Sequence, residues 1–152
     1  MTMMDPAKSS STLSEQIVYS GTDGIISVTC LIAGLVGAGT PAPVVALAAS
    51  IAAFADAISM GVSEFNARGS VRLAAATVLA FYLFAAGVAV VASRTRSVAG
   101  VFAWSAVCMT ALAALKHRGL GSPRKVAGTV GVGVAGAAIA YAIGSLHAPS
   151  IG

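Results

Sequence analysis

The chain has 152 residues, of which 57% are hydrophobic and only 9% are charged, and its mean hydropathy is +0.90. A soluble domain carries about 25% charged residues, so the composition excludes a soluble globular protein and predicts an integral membrane protein. The net charge of +4 comes from Lys and Arg residues near predicted helix ends. That placement indicates membrane topology rather than a nucleic-acid surface.

The apolar segments predict about five spanning helices of about 20 residues each, so we expect an all-α membrane protein. Residues 1–11 predict a flexible N-terminal tail, residues 12–147 a single five-helix membrane domain, and residues 148–152 a C-terminal tail. Thr12-Leu13-Ser14-Glu15 matches a capping box that would begin the first helix. The predicted helices run over about Leu13–Gly39, Pro43–Asn66, Val71–Ala92, Val98–Leu115 and Val126–Leu146.

The cations also predict the orientation in the membrane. With the N-terminus in the cytoplasm, two cations, Arg94 and Arg96, lie outside. The seven cations that then lie inside are Lys8, Arg68, Arg72, Lys116, Arg118, Arg124 and Lys125. The excess of cations on the cytoplasmic side favours a cytoplasmic N-terminus and an external C-terminus.

Two carboxylates, Asp23 and Asp56, fall inside the first two predicted spanning helices. An Asp at the centre of a spanning helix costs about 2.5–3.5 kcal/mol on insertion scales, so it predicts a functional site. If the chain reverses at Thr40–Pro41, Asp23 lies 17 residues before the reversal (40 − 23) and Asp56 lies 15 residues after it (56 − 41). At about 1.5 Å per residue, the two differ by only about 3 Å in depth.

Helical spacing extends both positions into polar faces. Asp56, Met60 and Glu64 are spaced i, i+4, i+8 on the second helix. On the first helix, the residues spaced i, i+4, i+7 are Asp23, Ser27 and Cys30. Carboxylates suit Mn²⁺ and other hard cations, while sulfur shifts the preference towards softer metals. The pattern therefore predicts a path for Fe²⁺ or Mn²⁺, with a candidate metal-ligating set of Asp23, Asp56, Met60 and Glu64.

Each residue other than the two aspartates has an ordinary structural alternative. Met60 can be core filler, and Glu64 can face water near the cytoplasmic end of its helix. Ser27 and Ser59 can bond back to their own helix backbone. Cys30 and Cys108 both lie in apolar runs and predict buried small residues rather than a disulfide.

Residues 131–136 match the GxGxxG pattern, but no strand precedes them and no acidic partner follows, so they do not predict a nucleotide site. Gly136, Ala140 and Gly144 instead predict a helix-packing face of small residues. Gly34, Gly37 and Ala38 have the same character on the first helix, and there we expect contacts between two copies of the chain. The chain contains no Ser/His/Asp set, no Cys-x-x-Cys motif and no phosphate-binding loop, so an enzyme is not expected.

Taken together, these motifs resemble the vacuolar iron transporter family. Residues 18–26 and 33–39 look like the first helix of that family, and Ala55-Asp56-Ala57-Ile58-Ser59-Met60 looks like its second-helix motif, especially in bacterial members. The last helix is also similar, through Gly131, Gly136, Tyr141 and Gly144. The resemblance extends from about Val18 to Leu146.

The resemblance implies five helices, a homodimer in the lipid bilayer, and movement of Fe²⁺ or Mn²⁺ out of the cytosol in exchange for protons. The ion is then the substrate and no cofactor is expected. The acidic and Met positions of the family map onto Asp23, Asp56 and Met60, and nothing is carried over to Glu64. Many members insert a long, Glu-rich metal-binding region between the second and third helices. Here only Asn66–Ser70 remains, as in the short nodulin-like branch.

Two alternatives stay open on the sequence. The chain could be a non-transporting structural or accessory subunit of a larger membrane complex that keeps the transporter fold, which the short Asn66–Ser70 connection would allow. It could also transport another cation or a metabolite. Retention of both Asp23 and Asp56 favours transport, because a purely structural role does not require their insertion cost.

Overall fold

The computed structural model describes residues 13–95, 98–117 and 123–148, and these residues contain five helices and no strand. The helices are α1 (Leu13–Gly37), α2 (Ala42–Arg68), α3 (Val71–Thr95), α4 (Val98–His117) and α5 (Pro123–Leu146). The predicted all-α fold is confirmed, and each helix lies within a few residues of its predicted bounds. The predicted tail at residues 1–11, the Thr12 capping position and residues 149–152 lie outside the described residues.

Four of these helices are long and apolar enough to cross a membrane, namely α1, α2, α3 and α5. The apolar part of α4, Ala99–Leu112, is shorter. Complete, α4 has 20 residues, which corresponds to about 30 Å of helix. The chain is therefore an integral multi-pass membrane protein of four to five spanning helices.

Glycines in the left-handed conformation end the first two helices. After α1, Gly39 has φ 72°, and the Thr40 and Gly39 amides donate to the carbonyls of Leu35 and Val36, both at 3.0 Å. This is a Schellman motif, which stops a helix and satisfies its last carbonyls. After α2, Gly69 has φ 66° and donates to the Phe65 carbonyl. Since the stop signal is Gly69, α2 continues past its predicted end at Asn66.

Helix α1 lies at the centre of the bundle and contacts each of the other four helices. Its buried positions include Ile25, Val28 and Ile32, all at 2% exposure or less. Two glycines bring other helices close to it. A Cβ on Gly24 would meet the Phe81 carbonyl oxygen of α3 at 2.7 Å, and a Cβ on Gly21 would meet the Phe84 ring at the same distance. Only glycine permits this approach of α3 to α1.

The small residues of α5 pack against α1, as predicted for a helix-packing face. A Cβ on Gly144 would overlap the Gly34 carbonyl, and a Cβ on Gly34 would meet the Ala140 carbonyl at 3.3 Å. A Cβ on Gly37 would overlap the Tyr141 carbonyl. Gly34 and Gly37 thus make contacts within the subunit, which corrects the expectation that they join two copies of the chain. Close approach of backbones is what small residues provide in membranes.

Candidate metal site in the membrane

Asp23 lies near the middle of α1, and the packing of the adjacent Gly24 shows in which direction Asp23 points. Gly24 faces α3 at close range, and successive helical residues differ by about 100° around the axis. Asp23 is therefore turned away from α3 and is partly exposed. Helices α2 and α5 both contact α1, but in the described part of the chain they do not contact each other. A strip of α1 between them stays partly exposed, and it carries Asp23 and Ser27.

Asp56 lies near the middle of α2 and is exposed on the surface of the subunit. Its neighbour Ala57 is fully buried at 0% exposure, so α2 packs on the bundle through Ala57 and presents Asp56 outwards. Asp23 and Asp56 are close enough to interact electrostatically. The two carboxylates, 33 positions apart in the sequence (56 − 23), thus lie on neighbouring helices near the centre of each helix, within electrostatic range of each other.

The other two predicted residues on α2 turn progressively away from Asp56. Asp56 is exposed, Met60 is partly buried against the apolar core, and the Glu64 side chain is only 12% exposed. Each step of four residues rotates by about 40° around the helix, so Glu64 is about 80° from Asp56. The i, i+4, i+8 series therefore crosses from the outer face of α2 to its inner face.

Glu64 belongs to a buried polar cluster that the sequence did not indicate. The Gln16 amide nitrogen lies 3.2 Å from Glu64 Oε2, 2.8 Å from Thr77 Oγ1 and 3.4 Å from Ser20 Oγ. The other Glu64 oxygen, Oε1, lies 2.8 Å from Arg68 Nε. This cluster, which we name the Gln16 cluster, consists of Gln16, Ser20, Glu64, Arg68 and Thr77. It joins α1, α2 and α3 at one end of the bundle.

A second polar face of α2 was also not predicted from the sequence. Ser59 and Ser63 are both exposed, as Asp56 is. The spacing i, i+3, i+7 places all three on one side of the helix. The polar line that leads from Asp56 along the outer face of α2 therefore consists of serine hydroxyls, while Met60 and Glu64 lie on the opposite side of Asp56, towards the bundle.

The predicted polar face on α1, formed by Asp23, Ser27 and Cys30, does not extend to Cys30. Cys30 faces α5, where a Cβ on Gly136 would lie 3.1 Å from the Cys30 sulfur. Both Cys30 and Cys108 are free thiols, which agrees with the expectation of no disulfide. The GxGxxG segment lies within α5, where Gly133 and Gly136 contact α4 and α1. The structure therefore supports reading it as a packing element.

In the described part of the chain, no group of three or more His, Cys, Asp and Glu residues comes together to hold a metal ion. One subunit therefore contributes Asp23 and Asp56 as a pair, with the Met60 thioether one helical turn from Asp56. Divalent cations in oxygen-rich sites take about six ligands. A cation at this pair would need further ligands from water, backbone or another chain.

The helices define the class, an integral multi-pass membrane protein, and two carboxylates lie in its spanning region. A family model described as the VIT family matches residues 14–72, which include nearly all of α1 and all of α2, the two helices that carry the aspartates. This match supports the resemblance to the vacuolar iron transporter family over the first two helices of the chain. Members of that family transport metal ions across membranes. No curated protein and no solved structure matches the chain.

Proposed function

We propose that the protein transports a divalent metal cation, Fe²⁺ or Mn²⁺, out of the cytosol through a site formed by Asp23 and Asp56. The observation that carries this proposal is the pairing of the two carboxylates on neighbouring helices, with Asp56 exposed on the subunit surface. An ionised side chain at mid-membrane is expected to face protein or a water-filled path, because lipid cannot solvate it. The exposed position of Asp56 therefore favours a polar path beside α2.

The ligand chemistry supports a first-row divalent ion. Carboxylate oxygens suit Mn²⁺ and Fe²⁺, and the Met60 thioether adds a soft ligand that Mg²⁺ and Ca²⁺ do not favour. Proton exchange follows from the same oxygens. A carboxylate that releases the metal can take up a proton, so the empty site can return across the membrane without an uncompensated charge.

We further propose that two copies of the chain assemble with their Asp56 faces together. A homodimer related by a two-fold axis would bring two Asp23–Asp56 pairs to one interface. It would also cover the exposed polar line formed by Asp56, Ser59 and Ser63. The ligands that a single subunit lacks would then come from the second copy.

The decisive test is metal flux into liposomes that contain the purified protein. Asp23→Asn and Asp56→Asn keep the shape of the side chain and remove its charge, so each is expected to abolish Mn²⁺ and Fe²⁺ flux. Ser50→Ala is a matched control, since the Ser50 hydroxyl is exposed on α2 and donates to the Ala46 carbonyl of its own helix. Size-exclusion profiles check that each variant inserts and assembles.

Two outcomes would contradict the proposal. Flux that persists in both Asp→Asn variants would exclude the aspartate pair as the site. A wild-type protein that assembles but moves neither metal would instead support the alternative of a structural or accessory subunit in a larger membrane complex.

A further inference from the structure

The Gln16 cluster lies at a defined distance from the aspartate pair. Gln16 precedes Asp23 by seven residues (23 − 16), and Glu64 follows Asp56 by eight (64 − 56). At about 1.5 Å per residue, both intervals amount to about 10–12 Å along the bundle. Since α1 and α2 run in opposite directions, both intervals lead towards the same end of the bundle. The cation count predicts this end to be cytoplasmic.

The cluster closes the interior of the bundle at that end. Ser20 and Thr77 are fully buried and Gln16 is 4% exposed. The Thr77 hydroxyl donates to the Leu73 carbonyl and accepts from Gln16, so its hydrogen-bonding capacity is used inside the bundle. The Gln16 amide has two N–H groups for three acceptors. A water-filled route from this end to Asp23 between α1, α2 and α3 would have to disrupt these contacts.

Glu64 is the charged member of the closure, and its two oxygens have different partners. Oε2 accepts from Gln16, whereas Oε1 is buried and accepts no aligned hydrogen bond from the described residues. Oε1 is held by charge alone, through the Arg68 guanidinium at 2.8 Å, and the Arg68 side chain is 32% exposed. A divalent cation that reaches this end would bind the same carboxylate oxygen, because it is the hard anionic ligand there.

We propose that the Arg68 guanidinium competes with the transported cation for the Glu64 carboxylate. The guanidinium occupies Glu64 in the metal-free protein and holds the Gln16 cluster closed. A divalent cation displaces Arg68 from Glu64 Oε1, and the end of α2 then separates from α1 and α3 to admit the ion. Gln16 is a positioning residue, because it orients Glu64 through Oε2 and does not itself reach the cation. This inference rests on the proposed transport function and adds its gate.

The test measures the accessibility of the cluster, which does not depend on flux. In a background with Cys30→Ser and Cys108→Ser, Ser20→Cys places a thiol inside the closed cluster. In inside-out vesicles, we expect this thiol to resist a membrane-impermeant maleimide. It should become labelled when Mn²⁺ is added, and it should be labelled without metal when Arg68→Ala is also present.

Three variants separate a gate from simple structural damage. Arg68→Lys keeps the charge and should restore protection of the thiol without metal. Arg72→Ala removes a nearby exposed cation and should leave protection unchanged. Arg68→Met keeps most of the aliphatic length of the side chain without the charge or a hydrogen-bond donor, and should expose the thiol even if Arg68→Ala fails to fold.

The liposome assay gives a second readout. Removal of a partly exposed ion pair is worth up to about 1 kcal/mol, so Arg68→Ala should lower the apparent KM for Mn²⁺ by up to about fivefold. Structural damage would not lower KM. If the thiol stays protected in both neutral variants and Mn²⁺ does not change its labelling, the gate is wrong even where flux is normal. If labelling responds as expected but the wild type shows no flux, the proposed transport function fails while the competition between Arg68 and the cation stands.

Discussion

For a single residue, the position around its helix decides whether a side chain reaches the proposed site. Asp23 and Gly24 are adjacent in sequence, yet Gly24 contacts the α3 backbone while Asp23 lies on a partly exposed strip. On α2, Ala57 is buried and Asp56 is exposed. In both pairs, a small residue brings a helix against the bundle and thereby directs its acidic neighbour away from the core.

Met60 gives the prediction that belongs to this scale. Met60→Leu keeps a side chain of similar volume in contact with the core and removes the sulfur. Because a thioether favours the softer ion, the ratio of Fe²⁺ to Mn²⁺ flux should fall by about fivefold, which corresponds to about 1 kcal/mol. Parallel flux measurements of the two metals in liposomes check this. Equal losses for both metals would show that Met60 acts only as core filler.

At the scale of a whole helix, the glycines of α5 lie on two different faces, one that contacts other helices and one that is open. Gly133, Gly136 and Gly144 each contact another helix, whereas a Cβ on Gly128 or Gly131 would meet nothing within 4 Å. Gly144 lets α5 approach the backbone of α1, while Gly133 and Gly136 leave room for the Met109 and Cys30 side chains. The open glycines have no packing neighbour among the described residues.

This difference predicts opposite effects of the same substitution on one helix. Gly144→Ala would force a Cβ into the Gly34 carbonyl, so it should lower the free energy of unfolding by about 1–3 kcal/mol through overpacking. Gly131→Ala meets no neighbour and should raise it by about 0.5–1 kcal/mol, because Ala favours the helix over Gly. Thermal unfolding of the detergent-solubilised variants measures both. A shift of the same sign and size in the two proteins would argue against the close α1–α5 contact.

For the whole molecule, one subunit leaves a polar line on its membrane-facing surface. Asp56, Ser59 and Ser63 are exposed although they lie on a spanning helix. Lipid is a poor environment for these groups, which is why we place the second copy of the chain against this face and not against Gly34 and Gly37.

Cross-linking in native membranes tests this arrangement. In the cysteine-free background, Ser59→Cys should give a covalent dimer on oxidation or with a short bifunctional maleimide, because the axis would bring the two copies of Ser59 near each other. Val107→Cys is the matched control, since Val107 is 60% exposed on α4 and the described residues of α4 and α2 make no contact. A dimer that forms through Val107 and not through Ser59 would place the interface on the other side of the bundle.

The sequence alone determined the class and the number of helices in the described residues, and it singled out the two carboxylates inside the spanning helices, whose role stays a prediction. Those inferences follow from apolar length, from the rarity of Asp within spanning helices and from the position of the reversal at Thr40–Pro41, all of which are properties of one segment at a time. The orientation in the membrane was also read from the sequence, and it stays a prediction. The predicted end of α2 at Asn66 was two residues too early, because the helix ends where Gly69 adopts the left-handed conformation.

Tertiary structure alone decided which faces meet. Helical spacing placed Asp56, Met60 and Glu64 on a shared side, but only the packing of α2 on α1 and α3 turns Glu64 inwards to Gln16 and Thr77. Small residues predict that a helix face packs closely, but they do not predict against which helix. The packing of Gly34 and Gly37 against α5 could therefore not be predicted from the sequence. The pattern of residues along one helix predicts which side of the helix is apolar and which is polar. Which other helix packs against that side depends on contacts between residues far apart in the chain.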